Sequence, residues 1–102
     1  MPQIARINDS FSGVCCHPAH SGCIFMTGFI EEGNANHVSG GSPVSYLGAL
    51  VRGFCGHIGY ITSASSKVTT NNIQVAYLGS AVGGPYLFGQ IVSGDTNNTV
   101  GI

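Results

Sequence analysis

Charge is nearly missing from this chain. Lys, Arg, Asp and Glu make up 7% of its 102 residues, and the formal net charge is -1. An average soluble domain carries about a quarter. So few cations exclude the basic footprint that nucleic acid requires. Tryptophan is absent, and there are only four cysteines. No apolar run reaches the roughly 18 residues of a membrane-spanning helix. No basic stretch leads into an apolar one at the N-terminus, so no signal peptide is expected and synthesis in a cytosol is. Helices are not expected either, because Gly or Pro interrupts the apolar stretches and a helical period is absent.

What is present is glycine, 16 of 102 residues, with abundant Asn, Ser and Thr and 43% apolar residues. That composition predicts many short strands joined by tight turns. The length predicts one domain, 1–102, with a core small enough to need extra support. A surface this poor in charge predicts that a partner covers part of it.

The sequence also repeats, with a period of about 30 residues. Gly28-Phe29-Ile30 recurs as Gly59-Tyr60-Ile61 and as Gly89-Gln90-Ile91. Tyr46-Leu47-Gly48 recurs as Tyr77-Leu78-Gly79, and Arg6-Ile7-Asn8 takes the third place. The units run approximately over 28–57, 59–88, and 89–102 joined with 1–27. The third is split between the two ends, which predicts a closed pseudo-three-fold body. Strands are expected at Ile4–Ile7, Phe25-Met26, Phe29-Ile30, Val44–Leu47, Tyr60–Thr62, Ile73–Leu78 and Gln90–Val92. Gly40-Gly41 and Asn71-Asn72 occupy matching places and read as two-residue hairpin turns.

The loops after these strands correspond as well. Gly13, Gly53 and Gly84 align, so Cys15 matches Cys55 and His17 matches His57, while the third copy has Tyr86 and Phe88. Cys15, Cys16, His17, His20, Cys23, Cys55 and His57 are the potential ligands. In a cytosolic protein such a cluster reads as metal before disulfide. One structural zinc, or alternatively iron, is expected on four of Cys15, His17, His20, Cys23, Cys55 and His57, with Cys16 in reserve. At least one ligand should come from each loop. A closed four-ligand site of this kind is structural. His37 aligns with Val68 and Asn98 and reads as a strand residue.

Catalysis is not expected. Asp9 is the only acid near the cluster in sequence, and Glu31 and Glu32 are adjacent on a short loop. A cysteine nucleophile lacks an orienting third group, and a catalytic zinc needs an open position.

Taken together, these residues resemble the PAAR-repeat family. The opening Pro2-Gln3-Ile4-Ala5-Arg6-Ile7-Asn8-Asp9 is similar to the family's start. Cys55 to Ile61, followed by Ser63-Ala64-Ser65-Ser66, resembles the strand entering its glycine-serine hairpin. Ile91-Val92-Ser93-Gly94 and Asp95-Thr96-Asn97-Asn98 resemble its last copy. The Pro-Ala-Ala-Arg string itself is replaced by Ser42-Pro43-Val44-Ser45-Tyr46-Leu47-Gly48, as in a diverged phage-type member.

The resemblance implies an all-β conical tip with a metal-stabilised apex. Such a tip caps a homotrimeric β-helical spike, one tip per trimer, at the distal end of a contractile phage tail baseplate. As a virion component made in the host cytoplasm, it would make transient contact with the host outer membrane and help pierce the envelope. It would need no nucleic acid and no small-molecule substrate, and the chain leaves no room for a fused toxin. The alternatives are a tip of a bacterial type VI secretion or related injection device, a small zinc-dependent enzyme, and a carbohydrate-binding β-module.

Overall fold

Twelve strands and one three-residue 3-10 turn make up the described residues, 3–20, 22–70 and 72–99, of this computed structural model. The all-β expectation holds. Pro2, Asn71 and Val100, on which parts of the sequence reading fell, lie outside the described residues.

Six strands close a barrel. They are β2 (Ser10–Cys15), β3 (Ile24–Ile30), β6 (Leu50–Gly53), β7 (Ile58–Ile61), β10 (Ala81–Pro85) and β11 (Leu87–Ile91). The order round the wall is β10-β11-β2-β3-β6-β7, antiparallel at every step. Alternation along each strand sends one set of side chains inward. Phe11, Ile30, Val51, Ile61, Val82 and Ile91 fill the interior and are buried. Each large side chain so buried stabilises by about 1.5–3 kcal/mol.

Glycines stand side by side on neighbouring strands of the barrel wall. Gly28 pairs with Gly53, and Gly13 with Gly89. A Cβ on Gly28 would collide with the Arg52 carbonyl, and one on Gly13 with the Phe88 carbonyl. These positions need glycine for the space alone.

Antiparallel order fixes which connections share an end. The links β2–β3, β6–β7 and β10–β11 turn at one end of the barrel. The longer links β3–β6 and β7–β10 run at the other, as do the segment that follows β11 and the one that precedes β2. Each longer link includes strands of a small ribbon. The first ribbon pairs β4 (Asn34–Ser39) with β5 (Ser42–Val44). The second pairs β8 (Thr69–Thr70) with β9 (Ile73–Gln74). In the third, β12 (Asp95–Thr99) pairs with β1 (Gln3–Ile4), so the first and last strands come together. Gly40 and Gly41 form the expected two-residue turn, both at positive φ, with Ser39 opposite Ser42. His37 lies on β4.

The expected strands at 4–7, 44–47 and 73–78 do not run through as single strands. Each leaves its ribbon partner and forms single bridges to its neighbours: Ile4 with Tyr77, Arg6 with Val44, and Tyr46 with Val75. The Ala5 N–H donates to Ala76 O at 3.0 Å, Ala76 N–H to Ser45 O at 3.0 Å, and Ser45 N–H to Ala5 O at 2.9 Å. This is a closed ring of hydrogen bonds. Beneath it, Ile4, Val44 and Val75 form a second small core. The chain then turns sharply at Asn8, Gly48 and Gly79, all with positive φ. Asn is among the few side chains that tolerate that region, which is why it can stand beside two glycines.

Tyr46, Tyr77 and Arg6 follow that ring. Tyr46 packs on the barrel core and Tyr77 on the second core, both half-buried. Tyr46 sits near Glu32; burial first, then that carboxylate, raises its pKa. Arg6 instead enters a polar network. Its Nε lies 3.3 Å from Asp9 Oδ2, and its Nη1 lies 4.0 Å from Asp95 Oδ2. Ser39 Oγ donates to Asp95 Oδ2 at 2.5 Å, and Asn98 Nδ2 donates to the same oxygen at 2.7 Å. The Asn97 N–H donates to Asp95 Oδ1 at 2.9 Å. These donors, Ser39 first, lower the Asp95 pKa to about 2.

Candidate metal centre

The turn end of the barrel is where the ligand candidates lie. Cys15 is the last residue of β2 and points inward, fully buried beside Leu87. Cys55 and His57 sit in the tight link between β6 and β7. That link is held by the Gly53 N–H donating to His57 O at 2.9 Å and the Gly56 N–H donating to Gly53 O at 2.9 Å. His20 ends the 3-10 turn Pro18–His20 in the β2–β3 link, and its N–H donates to His17 O at 3.0 Å.

Four side chains converge. The donor atoms of Cys15, His20, Cys55 and His57 all lie within 4.8 Å of one another. The two sulfurs are 3.6 Å apart. His57 Nδ1 is 3.4 Å from Cys15 Sγ, 3.3 Å from Cys55 Sγ and 3.1 Å from His20 Nε2. A zinc tetrahedron with bonds of about 2.3 Å to sulfur and about 2.0 Å to nitrogen has edges of about 3.3–3.8 Å. These four separations match those edges to within a few tenths of an ångström, and all the donor pairs lie within 4.8 Å. Two Cys and two His form a donor set zinc favours, and the residues fit the group.

The electrostatics favour one ligand and oppose another. Burial, then the neighbouring His17 and His20, lowers the His57 pKa, which favours the neutral ring that coordination needs. Burial raises the Cys15 thiol pKa, the opposite of what a thiolate ligand needs. A bound dication would offset that by favouring the thiolate.

Of the six predicted ligands, the structure therefore brings together Cys15, His20, Cys55 and His57, two from each of two loops. His17 is not among them. Its Nδ1 accepts from the Ala19 N–H at 3.0 Å. Its ring stacks on His57, with centroids 3.8 Å apart and planes 2° from parallel, and meets Tyr86 at 4.4 Å. His17 thus covers a ligand ring instead of supplying one.

Cys23, and Cys16 held in reserve, are corrected. They form a disulfide with each other. A disulfide sulfur is no thiolate and is not a competent ligand in this site. The physical reason is register: Cys15 lies opposite Ile24, so the next pair outward is Cys16 and Cys23. Sequence reading missed this because the β2–β3 pairing was not assigned. The available signal was the symmetry of that pairing about its loop.

No protein family, no curated protein and no solved structure matches this chain.

The surroundings of the centre are uncharged. Residues 13–28, 53–60 and 83–90 contain no Lys, Arg, Asp or Glu. Arg52 on the barrel wall is bonded to Glu31 and, at 3.0 Å, to Gly56 O in the β6–β7 link. Phe25 and Phe54 project into solvent, 71% and 72% exposed, with Phe88 at 44%. Phe88, Val14 and Phe25 lie side by side on β11, β2 and β3 and share the outer face.

Proposed function

We propose that this chain is a metal-stabilised spike tip of the PAAR type, and that its work is mechanical. The ribbon end would dock on a trimeric β-helical spike, and the metal end would lead. In this reading the three units form a conical body with pseudo-three-fold symmetry, closed by the termini. The observation that carries it is the ring of hydrogen bonds joining Ala5, Ala76 and Ser45. The same relation recurs elsewhere: the N–H groups of Asn8, Gly48 and Gly79 donate to Ile30, Ile61 and Ile91 at 2.9, 2.8 and 2.8 Å. A single chain with such a repeat can meet a true trimer without a mismatched edge.

The metal end supports the leading role. Coordination would cross-link two loops that have little packing of their own, so metal binding energy becomes folding energy. The absence of charge and the projecting phenylalanines suit transient contact with a lipid envelope. Four protein donors would close the shell of a zinc ion and leave no position for substrate, which favours a structural role over an enzymatic one. The carbohydrate-binding alternative would use the cleft of about 310 Å³ lined by Gly33, Asn34, Ala35, Asn36, Tyr46, Thr70 and Ile73. Its Asn34 amide is bonded to Thr70 at 2.8 Å and to the Asn36 N–H at 3.0 Å, which uses half of its hydrogen-bonding capacity. A contractile phage tail is the proposed setting, with the virion as the site of residence, and a type VI secretion device is the alternative machine.

The test is co-purification with a trimeric spike protein. One chain per trimer, retained at high salt, is expected, because the interface would be apolar. Three chains per trimer, or loss of binding in salt, would contradict symmetry matching.

A further inference from the structure

We infer that the Cys16–Cys23 disulfide is a positioning element of the metal centre: it fixes the place of His20 and so sets how tightly the metal is kept. The inference rests on the metal reading of Cys15, His20, Cys55 and His57.

The four donors are not equally anchored. Cys15 belongs to a barrel strand and is fully buried. Cys55 and His57 lie in a short link tied by two backbone hydrogen bonds and by the Arg52 guanidinium, which donates to Gly56 O at 3.0 Å. His20 has no such support. Its 3-10 turn buries no residue. Pro18 and Ala19 are exposed. Its backbone N–H donates to His17 O at 3.0 Å, inside the same loop.

What ties that loop to the barrel lies at its root. The β2–β3 ladder ends at Cys15 opposite Ile24. The Cys16 N–H donates to Tyr86 O at 2.8 Å. The disulfide then joins Cys16 to Cys23 and confines the loop to residues 17–22. A covalent link across so short a loop removes most of the alternatives open to it. His17 follows directly after Cys16 and lies flat on His57, so the confined loop delivers one ring over the site and another into it.

The test compares zinc affinity, by competition with a chromophoric chelator, for four forms of the whole chain. These are the wild type, C16S/C23S, His20→Ala, and the triple variant. Loss of a residue that orients a ligand costs about 10–100-fold in affinity, and C16S/C23S should fall by that much. In the His20→Ala background the same two serines should cost nothing further, because their effect passes through His20. Equal affinity of wild type and C16S/C23S overturns the inference. An equal loss in the His20→Ala background overturns it too, since the disulfide would then act through the fold at large. Absence of zinc from the oxidised wild type overturns the metal reading itself, and the inference with it. Should the serine variant not fold, the wild type reduced by a water-soluble phosphine replaces it, with amide protection of the barrel as the folding check. Unchanged zinc affinity after reduction is then the contradicting result.

Discussion

At the ribbon end, Asp9 and Asp95 are buried and take hydrogen bonds from Arg6, Ser39, Ser93 and Asn98. At the turn end the loops hold no Lys, Arg, Asp or Glu, and they carry thiols, imidazoles and one disulfide. Both ends face the same difficulty, which is chain that leaves the barrel with little apolar surface to bury. One end meets it with a charged network, the other with donor atoms arranged for a metal. The two should therefore fail under different agents: acid for the first, chelation for the second. The barrel between them should answer to neither.

The barrel supplies the largest effect. Phe11→Ala removes the largest buried side chain and should destabilise the whole domain by about 3–5 kcal/mol, read by denaturant unfolding. Both ends should lose amide protection together. If only one end responds, the barrel is not the shared support described here.

Metal removal comes next and should be local. A strong chelator should raise amide exchange over residues 15–24 and 53–58 and leave Ile61, Val82 and Ile91 protected. Exchange rising equally in the ribbons would erase the contrast between the ends.

Acid should act on the ribbon end, and the sign follows from Asp95. Its folded pKa is lowered from 3.8 to about 2. A carboxylate depressed on folding contributes stability above its unfolded pKa and loses it as pH falls through the folded one. Stability should thus decline between pH 3.8 and about 2. Measured on the chelated chain, where metal loss plays no part, the decline should be weaker in Asp95→Asn. An identical acid profile in that variant would remove Asp95 from the account.

The smallest effect is at Asn8. Its φ of 72° suits Asn or Gly, so Asn8→Ala should cost about 1 kcal/mol and Asn8→Gly little. A neutral Asn8→Ala in thermal unfolding would mean the turn relaxes.

Much of the fold was legible in the sequence because it rests on short-range signals. Gly40-Gly41 marked a two-residue turn, and glycine density marked a chain of strands and turns. Less legible were β4 and β12, whose residues Asn34–Ser39 and Asp95–Thr99 are rich in Asn, with Ala and Asp, all of low strand propensity. They are strands because each pairs in a ribbon at the barrel's end. Their first residues, Asn34 and Asp95, also accept from the N–H two positions on. In the site, Cys15, Cys55 and His57 were legible through the match between the loops. Which of the first loop's remaining residues joined them was not. That choice depends on the β2–β3 register, which pairs Cys16 with Cys23 and leaves His20 to reach inward.

The central claim is a metal held by Cys15, His20, Cys55 and His57. Elemental analysis of the chain purified without chelator, alongside His57→Ala, tests it most directly. One zinc per wild-type chain, and background levels in the variant, is the predicted result. A wild-type chain free of transition metal, or a His57→Ala chain that keeps its full complement, would contradict it.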